Sequence, residues 1–276
     1  MSEGVLCTVC PRGCVIRQGH IGFCGGRANR DGEIIAENYG KVTSIALDPI
    51  EKKPLRRFRP GSLVLSVGSY GCNLRCSFCQ NYRISMEHSA SGCIETTPQR
   101  LVDKALELVP EGNIGIAYTY NEPLIGYEFV RDCAALAREK GLANVVVTNG
   151  YIHEKPLEQL LPLIDAFNID LKSFSRAFYK DIGGDLEVVK DSIRLVATQS
   201  HVEVTTLIIS GENDSEEEMR ELSRWLASVD PEIPLHISRF FPAYKMADRS
   251  PTPSDKILKL TSIARESLKY VYTGNL

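Results

Sequence analysis

From residue 63 onward the chain alternates between two hydrophobic rhythms. Short aliphatic runs, the first being Leu63-Val64-Leu65-Ser66-Val67, give way to stretches in which apolar positions return at helical spacing. Further runs at 114–118, 144–148, 166–171, 202–209 and 235–240 predict six strands in all, each with a helix candidate after it. Thr97 stands where an N-cap belongs, with Pro98 at the first helical position. Ser215 and Glu218 make a capping box ahead of an apolar face formed by Met219, Leu222, Leu226 and Val229, with Trp225 on that face or at its edge. A last helix opens at Thr252-Pro253, carries Ile257, Leu260, Ala264 and Leu268, and precedes a short strand at 270–272. Alternating β and α units predict a parallel sheet flanked by helices. Six or seven such units suffice for a partial or open α/β barrel, whose working residues sit on the loops after the strands. The expected fold class is therefore α/β, a partial (β/α)6 TIM-like barrel.

The first 60 residues read differently. They are rich in glycine and cysteine and end in a basic run from Glu51 to Pro60. We expect a small Cys-rich metal-binding module with its linker over 1–60, and the barrel over 61–276. Acidic residues elsewhere balance the basic run, which reads as a solvated surface segment without a partner. Hydrophobic residues at 43% and charged residues at 24% exclude a disordered, collagen-like or coiled-coil chain. The 32 basic and 35 acidic residues nearly cancel, which gives no electrostatic case for a nucleic-acid or membrane partner. No apolar stretch nears the ~20 residues of a bilayer span, and no basic-then-apolar leader opens the chain. A cytoplasmic protein is expected.

In that compartment nine cysteines point to metal rather than to disulfides. Cys72, Cys76 and Cys79 follow directly on the first predicted strand of the barrel. Thiolates are soft ligands that select zinc or iron–sulfur clusters. Three of them on one loop can hold three corners of a cubane, leaving an open position where chemistry takes place. A structural zinc site completed by a distant histidine or cysteine is the alternative. Cys7, Cys10, Cys14 and Cys24 form a second group, suited either to a closed zinc site or to a second iron–sulfur cluster, and the spacing does not choose between them. Cys93 and Cys133 read as packing thiols.

The C-x3-C-x2-C spacing, with Phe78 before the last cysteine, resembles the radical S-adenosylmethionine (SAM) superfamily. That resemblance implies a [4Fe-4S] cluster on Cys72, Cys76 and Cys79, with the open iron binding the amino and carboxylate groups of SAM. Reductive cleavage then yields a 5′-deoxyadenosyl radical that abstracts hydrogen, so no side chain is itself the radical generator. Later loops extend the likeness. Asn121 and Glu122 match the end of the segment that binds the SAM amino group. Thr148-Asn149-Gly150 and Asp170-Leu171-Lys172 are similar to stretches of the glycyl-radical-enzyme activases that line the cofactor's ribose and carboxylate. Ile209 matches the residue packed on the adenine, and His236 a histidine that approaches the cofactor. Over nearly its whole length, including Cys7-Thr8-Val9-Cys10-Pro11 and Tyr244-Lys245-Met246, the sequence is similar to the radical SAM protein of the AmmeMemoRadiSam system, a group related to pyruvate formate-lyase activating enzymes.

Three functional readings follow. The activase resemblance implies radical chemistry on a protein partner, with flavodoxin or ferredoxin as electron donor. A radical SAM enzyme with a small-molecule substrate is the alternative, because the loops beyond His236 set substrate choice. A non-catalytic iron–sulfur or zinc redox sensor would not need the five later cofactor-like loops.

Overall fold

The computed structural model describes residues 4–86 and 92–276. Its N-terminal part is built from short pieces. β1 (Val5–Leu6) and β2 (Val15–Ile16) pair antiparallel, as do β3 (Arg27–Arg30) and β4 (Glu33–Ala36). Asp31 and Gly32 join the second pair with φ of 52° and 85°, the left-handed conformation at both turn positions that a two-residue hairpin demands. β5 (Lys41–Val42) pairs with β8 (Ile94–Glu95). β6 (Ser44–Pro49), inside the stretch expected to be module and linker, instead adds an antiparallel edge to the main sheet by pairing with β7 (Leu63–Gly68).

The main sheet continues with β9 (Asn113–Tyr118), β10 (Ala143–Thr148), β11 (Ala166–Asp170), β12 (His201–Ile208), β13 (Leu235–Arg239) and β14 (Val271–Gly274), each parallel to its predecessor from β7 onward. The helices are α1 (Tyr82–Ser85), α2 (Pro98–Glu107), α3 (Tyr127–Glu139), α4 (Glu154–Glu158), α5 (Arg176–Asp181), α6 (Leu186–Ala197), α7 (Glu216–Val229) and α8 (Ser254–Ala264). Thr97 caps α2 by accepting from the Arg100 N–H. Ser215 caps α7, but the reciprocal half of the expected box is missing. The Glu218 carboxylate reaches across to the Phe174 N–H at 2.7 Å and the Ser173 hydroxyl, tying α7 to the loop after β11. Met219, Leu222 and Leu226 are buried as expected, and Trp225 lies against Phe174 at the edge.

Seven parallel strands laid flat would span about 29 Å at ~4.8 Å per neighbour. Yet Cys72, beyond the end of β7, and Asn275, beyond the end of β14, line the same cavity, so the sheet wraps around it. Its inward-facing side chains form layers. The floor is apolar: Ile50 and Leu55 plug the bottom against Val64, Ala117, Val145 and Ala166. The basic run is thus not a simple solvated segment. Leu55 and Lys53 are buried, with Lys53 held by Asp48 at 2.9 Å, because the strand bottoms need an apolar plug. Among the described residues no helix is long and apolar enough to cross a membrane.

Candidate active site

β7 delivers the chain to Gly71, whose φ of +87° and close approach to the Cys24 carbonyl leave no room for a side chain. Immediately beyond, the Cys72 N–H donates to that carbonyl at 3.0 Å. Arg75 braces the loop from within, its guanidinium donating to the carbonyls of Cys72, Leu74 and Phe23. Phe78 is buried, with its ring 5.9 Å from that of Phe178. Cys72, Cys76 and Cys79 all line a cavity of about 280 Å³ at the C-terminal ends of the strands. Burial pushes the Cys76 thiol up to about 11, with Lys172 beside it acting in the opposite direction. Burial and the Glu122 charge push Cys72 up as well. Protonated thiols this deep become good ligands when a soft metal displaces the proton, so the donor set fits an iron–sulfur centre.

The same cavity collects Phe78, Asn121, Glu122, Thr148, Asn149, Asp170 and Lys172. Glu122 is 4% exposed, and its carboxylate accepts from the Thr148 hydroxyl (2.7 Å), the Asn149 N–H (2.7 Å) and the Leu124 N–H (3.0 Å). Burial nonetheless outweighs these donors and raises its pKa to about 7. Asn121 was expected to offer its carbonyl to an ammonium. Its Oδ1 accepts from the Ser69 N–H, and its Nδ2 donates to the Tyr70 and Gly71 carbonyls, so it shapes the approach to the cysteine loop. Lys172 pairs with Asp170 at 2.9 Å. Burial opposes its charge, but Asp170 and Cys76 hold the amine well above its ordinary value. Tyr120, just before Asn121, takes φ = +73°, a conformation that glycine adopts freely. Its hydroxyl donates to Asp48 at 2.7 Å, and Lys53 lies 4.7 Å from its ring, contacts that offset the backbone cost.

Two expected residues lie elsewhere. Ile209 is buried in the core beyond β12, and Leu207, two residues earlier, lines the cavity in its place. His236 faces inward on β13, but two residues before the cavity-lining Ser238, about 6.6 Å deeper along the strand. Its Nε2 lies 2.6 Å from Glu203, and its ring stacks on Tyr272 at 5.4 Å. Glu203 also meets His201 and accepts the Arg56 and Arg57 N–H groups. His236 therefore belongs to an ionic layer between floor and cavity. Counting in twos from Ile209 and His236 leads to the cavity-lining Leu207, Thr205 and Ser238; no motif marked Gln80, Asn81 or Asn275.

Cys7, Cys10, Cys14 and Cys24 surround a separate small void that also touches Asn73 of the Cys72–Cys79 loop. Among the described residues no group of three or more His, Cys, Asp or Glu side chains is already arranged to hold a metal ion.

A model of the radical SAM superfamily matches residues 66–226, more than half of the chain, and the protein belongs to that superfamily. It is 42% identical over 276 residues to an uncharacterized protein of Methanocaldococcus jannaschii, covering 99% of this chain and 81% of that one. It is 27% identical over 220 residues to the pyruvate formate-lyase-activating enzyme of Clostridium pasteurianum, covering 72% of this chain and 89% of that enzyme. In fold it resembles a radical SAM methyltransferase from Sphaerobacter thermophilus, with a TM-score of 0.59 at 18% identity over 78% of this chain and 67% of that one. Membership makes the protein an enzyme and implies a [4Fe-4S] cluster and SAM.

Proposed function

We propose that Cys72, Cys76 and Cys79 hold the [4Fe-4S] cluster, that the surrounding cavity binds SAM, and that the enzyme abstracts hydrogen from a protein partner. The observation carrying this reading is that the three thiols, Glu122 and the Asp170–Lys172 pair share one cavity although they come from loops after three different strands. When bound, the cluster and SAM supply the 5′-deoxyadenosyl radical.

The chain's own residues bind and orient. Glu122, fixed by three donors, presents a carboxylate to the SAM ammonium. Asp170 offers acceptors for ribose hydroxyls, and Lys172 a compact cation for the SAM carboxylate. Phe78, buried against the Phe178 ring, adds an apolar wall to the cavity beside the cysteines that would hold the cluster. Thr148 and Asn149 act on Glu122, and Asn121 on the backbone of the cysteine loop. Around the rest of the cavity Gln80, Asn81, Ser85, Ser238 and Asn275 present uncharged amides and hydroxyls. Such groups match the amides of a peptide better than the charge of a phosphorylated metabolite. Similarity to a pyruvate formate-lyase-activating enzyme supports the same choice. A flavodoxin or ferredoxin supplies the electron. Against the expected division at 1–60 and 61–276, the barrel also takes in β6 and the 50–55 plug, and the cysteine module with a second metal site, zinc or iron–sulfur, is the segment ahead of β6.

The test follows 5′-deoxyadenosine from the reconstituted, reduced enzyme with SAM under anaerobic conditions, adding the protein or the small-molecule fraction of a cognate lysate. Stimulation by the protein fraction alone is expected. Stimulation by small molecules alone replaces the protein substrate with a metabolite. No deoxyadenosine despite an intact cluster refutes the catalytic assignment.

A further inference from the structure

Tyr120 connects β9 to the Asn121–Glu122 pair through an unusual piece of backbone. Its φ is +73°, and the Asn121 N–H donates across it to the Thr119 carbonyl at 3.1 Å. Together these define a γ-turn of the positive-φ sense, the rarer and more strained kind. Tyrosine is an unfavourable residue for it, because in the left-handed region a Cβ crowds the following carbonyl oxygen, a contact that glycine escapes. Strain of this sort persists only where surrounding contacts over-determine it, and it collects at working sites.

The side chain is held from the barrel's floor and from its β6–β7 edge. Its hydroxyl donates to Asp48 of β6 at 2.7 Å. Asp48 also accepts from Lys53 at 2.9 Å, and that ammonium lies 4.7 Å from the centre of the Tyr120 ring. Lys53 is 3% exposed, so its charge is satisfied by the Asp48 carboxylate and the ring face rather than by water. The ring lies across Gly68 at the end of β7, where a Cβ would stand 2.8 Å from its Cδ2.

On its other side the turn is fastened to both ends of the cysteine loop. The Asn81 amide, two residues past Cys79, donates to the Tyr120 carbonyl at 2.7 Å. The Glu122 N–H donates to the carbonyl of Gly71, just ahead of Cys72, at 3.3 Å, and the Asn121 amide reaches the Tyr70 and Gly71 carbonyls. The turn therefore sets where the Glu122 carboxylate stands relative to Cys72, Cys76 and Cys79, with which it lines one cavity.

We infer that Tyr120 is a positioning residue for SAM: clamped by Asp48 and Lys53, it holds the strained turn that keeps the Glu122 carboxylate in register with the three-cysteine loop. This rests on the reading of Glu122 as the partner of the SAM ammonium. Tyr120 acts through Glu122. When the turn relaxes, only the fraction of molecules that still holds it binds SAM at full strength, and the apparent Kd rises by the inverse of that fraction. The left-handed backbone then inverts the usual order of substitutions. Removing the side chain altogether harms binding less than trimming it to alanine.

Calorimetry of SAM binding to the anaerobically reconstituted full chain tests this. Tyr120→Ala loses the Asp48 and Lys53 contacts but keeps a Cβ, and its Kd is expected to rise about tenfold, equivalent to ~1.4 kcal/mol. Tyr120→Gly loses the same contacts yet adopts the turn freely, and should bind SAM at least about threefold more tightly than Tyr120→Ala. Equal affinities of the two variants, or an alanine variant that binds like wild type, overturn the inference. In steady-state 5′-deoxyadenosine formation Tyr120→Ala should raise KM for SAM more than it lowers kcat; an equal or larger effect on kcat overturns it. Gly68→Ala reaches the turn without changing Tyr120. Its Cβ pushes the ring from its seat, so SAM affinity should fall severalfold, and adding Tyr120→Gly to the same chain should restore it. No restoration overturns the inference. Glu122→Gln separates the two readings. If it leaves SAM affinity unchanged, the ammonium assignment fails; if it weakens SAM while Tyr120→Ala and Tyr120→Gly bind alike, the role of Tyr120 alone fails.

Discussion

Glu203 offers the sharpest test of the layered interior. Its carboxylate is fully buried and receives the Arg56 N–H at 3.0 Å, the Arg57 N–H at 2.7 Å, His201 at 2.9 Å and His236 at 2.6 Å. Burial works against its charge, but these four partners win and lower its pKa from 4.5 to about 2. A lowered carboxylate pKa adds stability that is fully present above the unfolded value and is lost as pH falls toward the folded one. At 1.36 kcal/mol per pKa unit, the difference of 2.5 is worth about 3 kcal/mol at neutral pH. Glu203→Gln keeps the shape but removes the charge and replaces one acceptor with a donor. The variant should be about 3 kcal/mol less stable at pH 7, and the gap should shrink to roughly 1 kcal/mol at pH 3. Urea unfolding under anaerobic conditions measures both. Wild type and variant carry the same cysteines, so metal-dependent contributions cancel in the difference. A gap below about 1 kcal/mol at pH 7, or one that does not change with pH, would refute the reasoning.

Other expectations follow from the same geometry. Replacing Cys72, Cys76 or Cys79 by alanine should abolish 5′-deoxyadenosine formation; retention of activity in any of the three would remove that cysteine from the ligand set. Glu122 gains its charge as pH rises through about 7. SAM binding, followed by calorimetry, should therefore tighten between pH 6 and pH 8 in the wild type and stay flat in Glu122→Gln. Gly71→Ala should cost about 1–3 kcal/mol from backbone conformation alone, and more through collision with the Cys24 carbonyl, which thermal unfolding will register. Leu226→Ala on the buried face of α7 should cost 2–5 kcal/mol without altering SAM affinity.

The barrel strands were legible because each carries a buried aliphatic run flanked by breakers, and every predicted strand lies within two residues of its observed bounds. The cysteine loop was legible because thiol spacing is itself chemistry. Depth was not. Alternation correctly turns His236 inward, but whether an inward residue meets the cavity or the layer below also depends on how the strands tilt across the barrel: Thr205 lines the cavity although it is His236's ladder partner. The same difficulty placed Ile209 at a surface that Leu207 forms. Tyr120 illustrates another gap. Its left-handed backbone is enforced by Asp48 and Lys53, some 70 residues earlier, and no local signal marks it. The basic run hid its plug because Leu55 is one apolar residue among charges, and its burial depends on the barrel closing over it.

The Cys72–Cys79 loop owes its shape to residues outside itself. Gly71 and Cys72 abut Cys24; the Asn73 carbonyl accepts from the Arg12 guanidinium; Arg75 donates to the Phe23 carbonyl. Arg12 in turn reaches Gly183, beyond α5, and the Val9 carbonyl accepts from the His153 N–H ahead of α4. An iron–sulfur ligand loop tolerates little movement, because each thiolate must meet its own corner of the cluster. Here that precision comes from clamping the loop between the barrel and the N-terminal cysteine segment. A metal held by that segment would tighten the clamp, because ordering Cys24 also fixes the Cys72 N–H that donates to its carbonyl. The two cysteine segments are therefore coupled mechanically through the Cys24–Cys72 hydrogen bond.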